Sequence, residues 1–416
     1  MHFSDDEKIN RPKLFFYHHY ILKITMKGKT RVLGYSFQFQ EMFLSKDIFL
    51  VPYYIAKCLG GTLDYIYCQN LGNTIIPTVH RNANIRQSTI ADDFRAMLKY
   101  IVADAKRIDV LFIWGSSLKH MLIIRMFKFF NPESKVVVFG DMEPPQARIL
   151  NQTDFMCPKG VKGVVKRYFT NFFMNNVTYI VANTEAYNEM KKLCERKKWS
   201  GLLHFYPCLD DEKFNEYGIK CKSWEEKENI IVCVGRVGCD QKNTEMLLEA
   251  LKIVDLKDWK IYMIGPITSS FDLNEKGDFQ NVIDRFFEEY PRYNDKLIFT
   301  GVIYDQRIVM DYYNRAKVLL MTSRHESWGN VYSEAAALGC YIISTDVGGA
   351  KMCSNDWQFG TKVPQEDSEQ LAGIIQRFID AKIVVSSEKS IPFNSLLYSI
   401  MMRNVLLPKL GYMPKD

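Results

Sequence analysis

The sequence lacks the marks of several large protein classes. Its ten cysteines include no C-x-x-C pair, and none of its seven histidines stands at ligand spacing from another histidine or a cysteine. That removes the usual pattern of a structural zinc site. We read the thiols as free in a reducing cytosol, several of them, such as Cys233, acting as small hydrophobes in buried strands. No stretch approaches about 18 uninterrupted apolar residues. The opening Met-His-Phe-Ser-Asp-Asp-Glu has neither a basic nor an apolar leader region. The expectation is a cytoplasmic protein, neither secreted nor membrane-spanning. No G-x-x-x-x-G-K-[ST] occurs, and Gly-Arg-Val-Gly-Cys-Asp at 235–240 fails G-x-G-x-x-G, so triphosphate hydrolysis and hydride transfer lose ground. Excess charge is missing too: a net +6 over 416 residues gives no general footprint for nucleic acid, and none is expected as a partner.

What is present is ample core material. At 47% hydrophobic, 416 residues support two or three domains. From residue 31 onward, short apolar runs alternate with segments of helical period, the beat of parallel sheets wrapped by helices. Strands are expected at 32–37, 63–68, 109–114, 135–139 and 179–182, with helices at 49–59, 90–105, 118–130 and 161–175. A second series follows: strands 230–234, 259–264, 296–300, 317–321 and 341–345, with helices 244–254, 279–290, 305–315, 330–338 and 368–379. The rhythm breaks after 206, ahead of the charged run 220–228. We therefore expect an α/β protein of two doubly wound, Rossmann-like domains, 1–206 and 207–393, facing across a cleft. An amphipathic segment at about 394–416 is expected to pack back on the first domain.

The stretch Ser-Arg-His-Glu-Ser-Trp-Gly-Asn-Val-Tyr-Ser-Glu at 323–334 joins an apolar strand to a helix and leaves seven residues between Glu326 and Glu334. It lies at a strand's carboxyl end, where open α/β sheets bind ligands. The free N–H groups of the helix and its positive dipole end suit a phosphate. Gly235-Arg236 ends the first strand of the second series, and Lys242 follows just before a helix, on the same rim. Arginine's planar fork and lysine's point charge together suit a diphosphate.

The order of Gly235-Arg236, Lys242-Asn243, Ile264-Gly265, Thr300-Gly301, Ser323 through Glu334 and Asp346-Val-Gly-Gly349 resembles glycosyltransferase family 4. These are retaining enzymes of the GT-B fold that carry the spaced glutamate pair. The resemblance covers 229 to about 380; over the first domain only the overall rhythm matches. It implies that Arg236 and Lys242 bind the diphosphate of a nucleotide-sugar donor, that Glu334 holds the ribose and that Glu326 meets the transferred sugar. Ser327, Gly329, Asn330 and Val331 would offer backbone N–H groups. Gly235 belongs to the donor-binding set, and Gly265, Val302 and Ile303 are placed to touch the base. The catalytic set is then Glu326, Arg236 and Lys242, with no metal and no cofactor, the nucleotide-sugar being a substrate. Partners are that donor and a carbohydrate or lipid-linked acceptor, in polysaccharide or glycoconjugate synthesis. On the acceptor side, Lys46, Asp47, Asp141 and Glu143 are candidates; Asp141 and Glu143 either orient an acceptor hydroxyl or cap the next segment. The basic amphipathic helix at 161–175, with Lys162, Lys166 and Arg167, either lies peripherally on the anionic inner face of a membrane or packs its aromatic side on the sheet. An epimerase of the same fold and a non-catalytic carbohydrate- or nucleotide-binding module remain as alternatives.

Overall fold

Runs such as Val-Leu-Phe-Ile-Trp and Ile-Ile-Val-Cys-Val are apolar on both alternating faces, which suits strands buried between two helical layers. The computed structural model describes residues 29–72, 74–156, 159–268, 278–381 and 396–412. Most of the basic, aromatic amino-terminal stretch and the spacer 386–392 lie outside the described residues.

The first sheet contains β1 (Arg31–Phe39), β2 (Thr62–Asn70), β3 (Val79–His80), β4 (Ala83–Gln87), β5 (Val110–Trp114), β6 (Lys135–Phe139), β7 (Thr178–Val181) and β8 (Leu202–His204). Their spatial order is β3-β4-β2-β1-β5-β6-β7-β8, parallel except for the β3–β4 pair. The second sheet holds β9 (Glu228–Val234), β10 (Lys260–Ile264), β11 (Leu297–Gly301), β12 (Ala316–Met321), β13 (Tyr341–Thr345) and β14 (Gly360–Val363). Its order is β11-β10-β9-β12-β13-β14, that of a doubly wound dinucleotide-type sheet. All its pairings are parallel.

Alternate residues feed opposite cores. In β5, Leu111 and Ile113 join one cluster while Val110 and Phe112 join the other. In β9, Ile231 and Cys233 face one layer, Ile230 and Val232 the other. Each such side chain, fully removed from water, contributes about 1.5–3 kcal/mol, so the sheets are fixed mainly by burial.

Three differences from the sequence reading have plain causes. β3, β4, β8 and β14 were not expected: β4 reads Ala-Asn-Ile-Arg-Gln, and the others have only two to four residues. The helix expected over 90–105 is shorter, an α segment Asp93–Met97 capped by Asp92 and continued by a π turn, Leu98–Val102. The helices Pro144–Gln152 and Thr184–Lys197 were not among the expected elements.

The chain crosses between the units twice, side by side. Leu209 and Leu397 form a parallel bridge, with Leu209 N–H donating to the Leu396 carbonyl at 2.7 Å. Residues from Tyr398 onward then join the first unit's core, where Tyr398 stacks on Tyr54 at 5.1 Å.

Candidate active site

In the second sheet, the strand order reverses between β9 and β12. The loops leaving those two strands diverge around a crevice, the place where doubly wound sheets take ligands. One loop runs from Gly235 to Asn243, the other from Thr322 to Gly329. They are zipped together: the Thr322 hydroxyl donates to the Lys242 and Asn243 carbonyls at 2.9 Å each, and the Arg324 N–H to the Gln241 carbonyl at 2.8 Å. Lys242 and Glu326 are thereby brought into a salt bridge, with Glu326 buried. The Ser323 hydroxyl donates to the same carboxylate at 2.8 Å and the Gln241 amide at 3.3 Å. Gln241 also accepts from the Arg236 guanidinium at 3.0 Å. Arg236, Gln241, Lys242 and Glu326 are thus one connected polar chain, with Arg236 at its exposed end.

Gly235, Arg236 and Lys242 line a cavity of ≈ 320 Å³ with Thr322 at its back. The crowding there is severe: a Cβ on Gly265 would stand 2.0 Å from the Gly235 carbonyl oxygen, so only glycine fits. On the other side of the loop, Gly348 adopts φ +56° and its N–H neighbour, Gly349, donates to the Trp328 carbonyl at 2.7 Å. Any side chain at Gly348 would meet that carbonyl at 2.3 Å. The glycine pair therefore lets β13's loop press the Glu326 loop into shape.

The helix Asn330–Ala337 starts at Gly329, in the left-handed region, with no side chain capping it. The Tyr332 N–H bonds the Gly329 carbonyl at 3.0 Å, while among the described residues no side chain caps the N–H groups of Asn330 and Val331, at the positive end of the dipole. Glu334, one turn in, lines a second cavity of ≈ 490 Å³ between the two units, together with Asn330, Asp210, Lys213, Gln306 and Ser45. Burial pushes its carboxyl above the usual range, against the pull of Lys46, the Tyr313 hydroxyl and Lys213. Val302 is exposed and Ile303 half-buried just past β11, on the same rim but lining neither cavity. Val331 packs among the hydrophobic residues beneath the helix, and the Ser327 carbonyl faces the other unit.

The first unit contributes two residues that the sequence reading missed. Asn183, just past β7, caps the helix Thr184–Lys197 through its side-chain oxygen and donates its amide to the carbonyls of Ser327 at 2.8 Å and Glu326 at 3.3 Å. Tyr206 stacks on Trp328, centroids 4.6 Å apart and planes 11° off parallel. The carboxyl edges of the sheets thus face each other, and the loop holding Glu326 is gripped from across the cleft. The legible signal for Asn183 was its place at a strand's carboxyl end. Gln241 and Ser323 could have been noticed as neighbours of Lys242 and Glu326.

The four acceptor-side candidates are dispersed. Lys46 precedes the helix Asp47–Cys58 and acts on Glu334 across the cavity. Asp47 is buried, accepts from the Tyr398 hydroxyl and faces the seam with the returning chain. Burial raises its carboxyl to about 7, with Lys46 opposing and Asp141 reinforcing. Asp141, exposed at its outer side, is also raised, by the protein packed around its carboxyl and by Glu143. Glu143 forms a reciprocal cap with Gln146 at the start of Pro144–Gln152.

Residues 228–381 match the family model Glycosyl transferases group 1. The matched segment therefore runs from β9 to the end of Ser368–Ile379 and includes every residue expected on the donor side. An uncharacterized 41.2 kDa protein in the cps region of Klebsiella pneumoniae is 30% identical over 179 residues, 42% of this chain and 41% of its own length. The match thus spans less than half of that relative. Among solved structures, the lipopolysaccharide outer core galactosyltransferase WaaB in its apo form superposes with a TM-score of 0.60 at 12% identity, covering 90% of this chain and 98% of that one. HepE of Anabaena in complex with UDP gives 0.55 at 13% identity, covering 85% and 91%. At such low identity these likenesses carry the fold alone, and the fold is GT-B.

Proposed function

We propose that the chain is a retaining glycosyltransferase of family 4, moving a sugar from a nucleotide-diphosphate-sugar to a carbohydrate or lipid-linked acceptor in polysaccharide or glycoconjugate synthesis. The observation that carries this reading is the convergence of Arg236, Lys242, Glu326 and an uncapped helix start on the crevice between β9 and β12. The spaced glutamates and the order of the flanking motifs support family 4. The HepE structure with UDP and the cps-region relative support the donor class and the setting.

In the reaction proposed, the bond from the anomeric carbon to the diphosphate oxygen breaks as the acceptor oxygen bonds to the same face of that carbon. The acceptor's proton passes to the departing phosphate oxygen. Negative charge grows on the diphosphate as the bond lengthens, so Arg236, Lys242 and the helix start stabilise the transition state more than the ground state. Lys242 then exchanges part of its contact with Glu326 for phosphate, and the carboxylate that it releases orients sugar hydroxyls. Glu334 anchors the ribose. The step as written calls for no metal. The place of work is the cytoplasmic face of a membrane, with the first unit meeting the acceptor.

The test is nucleotide release from a panel of UDP-, GDP- and ADP-sugars, with and without EDTA, and NMR assignment of the product anomer. Release that survives EDTA, with retention, is expected. An inverted product removes the retaining step, and epimerised donor without transfer replaces the reading with an epimerase.

A further inference from the structure

We propose that Arg324 and Glu366 are positioning residues, a clamp outside the crevice that fixes the placement of Lys242 relative to Glu326 for the transfer step. The role in transfer rests on the transferase reading above.

The clamp joins three loops, each leaving the carboxyl end of a strand. Arg324 stands in the loop after β12, just ahead of Glu326. Its guanidinium reaches the loop after β9, donating to the Asp240 carbonyl at 2.6 Å and to the Asp240 carboxylate at 3.1 Å. It also reaches the loop after β14, where it forks onto both oxygens of Glu366 at 2.7 and 3.3 Å. Glu366 in turn accepts from the amide of Asn243, the residue next to Lys242, at 3.2 Å. The adjoining Gln365 donates to the carbonyls of Ser323 and Arg324 at 3.2 and 3.3 Å. Both members of the Lys242–Glu326 pair are thus held, each through a near neighbour, by one carboxylate.

Stability does not account for this arrangement. The Arg324 side chain is 32% exposed and that of Glu366 57%, and an ion pair so open to water adds little to folding. The backbone is strained to make it. Glu366 adopts φ +57°, in the left-handed region where a side chain crowds the following carbonyl, and Asn243 lies there too at φ +47°. Glycine would relieve the turn at 366 but would supply no carboxylate to Arg324 and Asn243. The turn is also fixed on both sides. β14 pairs in register with β13 as far as Val363, and Asp367 caps the helix Ser368–Ile379, accepting from the Gln370 N–H at 2.8 Å. Glu366 is therefore a rigid post for the loops of the crevice. In the mechanism proposed, the Lys242 ammonium must meet the leaving phosphate while the Glu326 carboxylate meets the sugar, and a misplacement of about 1 Å can cost on the order of a hundredfold in rate.

A second fork in the same unit supplies the comparison. Arg315 bonds both oxygens of Glu228 at 2.7 and 2.9 Å, with side chains 31% and 46% exposed. Glu228 opens β9, so this fork lies at the amino edge of the sheet, opposite the crevice. Chemistry and exposure match those of the clamp; only the place differs.

Glu366→Gly and Glu228→Gln in the full chain test the clamp side by side, by turnover of the donor found in the panel above, by denaturant unfolding and by amide hydrogen exchange. Glu366→Gly should lower kcat about tenfold, the worth of one or two net hydrogen bonds, with the donor KM within about threefold. Its stability should match or exceed that of the wild type, because the left-handed strain is gone. Amide exchange over 236–243 and 322–329 should rise about tenfold. Glu228→Gln should leave kcat and that exchange at the wild-type level. Arg324→Gln should lose about as much kcat as Glu366→Gly, and the double variant less than the product of the two losses. Unchanged exchange in Glu366→Gly overturns the clamp. So does a kcat loss no larger than that of Glu228→Gln, or one accompanied by a matching loss of stability. A wild type that turns over no nucleotide sugar removes the transferase reading alone, and the exchange of the two loops still decides whether the clamp holds them.

Discussion

The two halves of the molecule share a strand order around their switch points, β2-β1-β5 in one and β10-β9-β12 in the other, yet they use those points differently. In the second half, the two loops at the switch are bonded to each other and deliver a lysine, an arginine and a carboxylate to one crevice. In the first half, the polar residues at strand ends mostly serve the fold: Asp47 binds Tyr398 in the seam, and Glu143 caps a helix. A diphosphate is met by fixed cations and helix N–H groups, a requirement that constrains the loops themselves. If the first half meets the acceptor, as proposed, no such shared group constrains it, and its carboxylates are available for structure.

That contrast breaks most visibly at Lys242. In the mechanism proposed, Lys242→Ala removes the cation that faces the growing phosphate charge and should lower kcat by about 10²–10³-fold, the range for one electrostatic partner at a reacting oxygen. Asp141→Asn in the first half should change it less than tenfold. Nucleotide release under saturating donor measures both, and equal losses would erase the distinction between the halves.

The buried Asp47 gives the next largest effect, on stability rather than rate. Its carboxyl ionises near 3.8 in the unfolded chain and near 7 in the fold, so between those values the folded state holds more proton. Raising the pH through that window therefore destabilises the protein, and the loss is complete above about 7. The shift corresponds to an upper bound of about 4 kcal/mol. Denaturant titrations from pH 4 to 8 should show the decline in the wild type and a flatter profile in Asp47→Asn. An unchanged slope in the variant would mean that Asp47 is not the titrating group.

Asn183 sharpens the comparison from the other direction, because it belongs to the first half and acts on the second. Its amide holds the Glu326 loop through two carbonyls, at 2.8 and 3.3 Å. Asn183→Ala should lower kcat by up to about tenfold, the worth of a net hydrogen bond or two, while leaving UDP affinity within about twofold. An equal loss in UDP affinity would point instead to general loosening of the donor domain. Asn183→Asp is the stricter variant: it keeps the helix cap and loses the donating amide.

The second half was the more legible for a physical reason. Its strands are continuous aliphatic runs, and its site is local in sequence, contained in 235–243 and 322–334. What escaped notice there was β14, whose four residues Gly-Thr-Lys-Val show no pattern, and the pairing of Lys242 with Glu326, which requires two loops to be zipped. In the first half, β4 is half polar, and the grip of Asn183 and Tyr206 exists only once the halves meet. The outward apolar stripe of Val161–Asn176 was legible as a pattern. Which side would be covered was not, since Phe173 faces the core and Tyr168 faces out.

The smallest effect tests the most ordinary role. If Glu143 is a cap, its loss should cost what a cap costs: Glu143→Ala frees the Gln146 N–H, the first in a helix that opens on Pro144-Pro145, and removes a favourable charge at the dipole's positive end, about 0.5–1 kcal/mol. Gln146, whose side-chain oxygen accepts from the Glu143 N–H at 3.2 Å, would keep half of the reciprocal pair, which holds the loss near the lower figure. Glu143→Gln preserves the hydrogen bonds and should be close to neutral. Chemical denaturation reads that difference directly, and turnover should stay within twofold of wild type in both variants. If Glu143→Gln instead lowered kcat with stability unchanged, the carboxylate itself would be at work on the acceptor. The first half would then hold a reacting group at the end of β6, and the contrast drawn between the two sheets would fail at that strand.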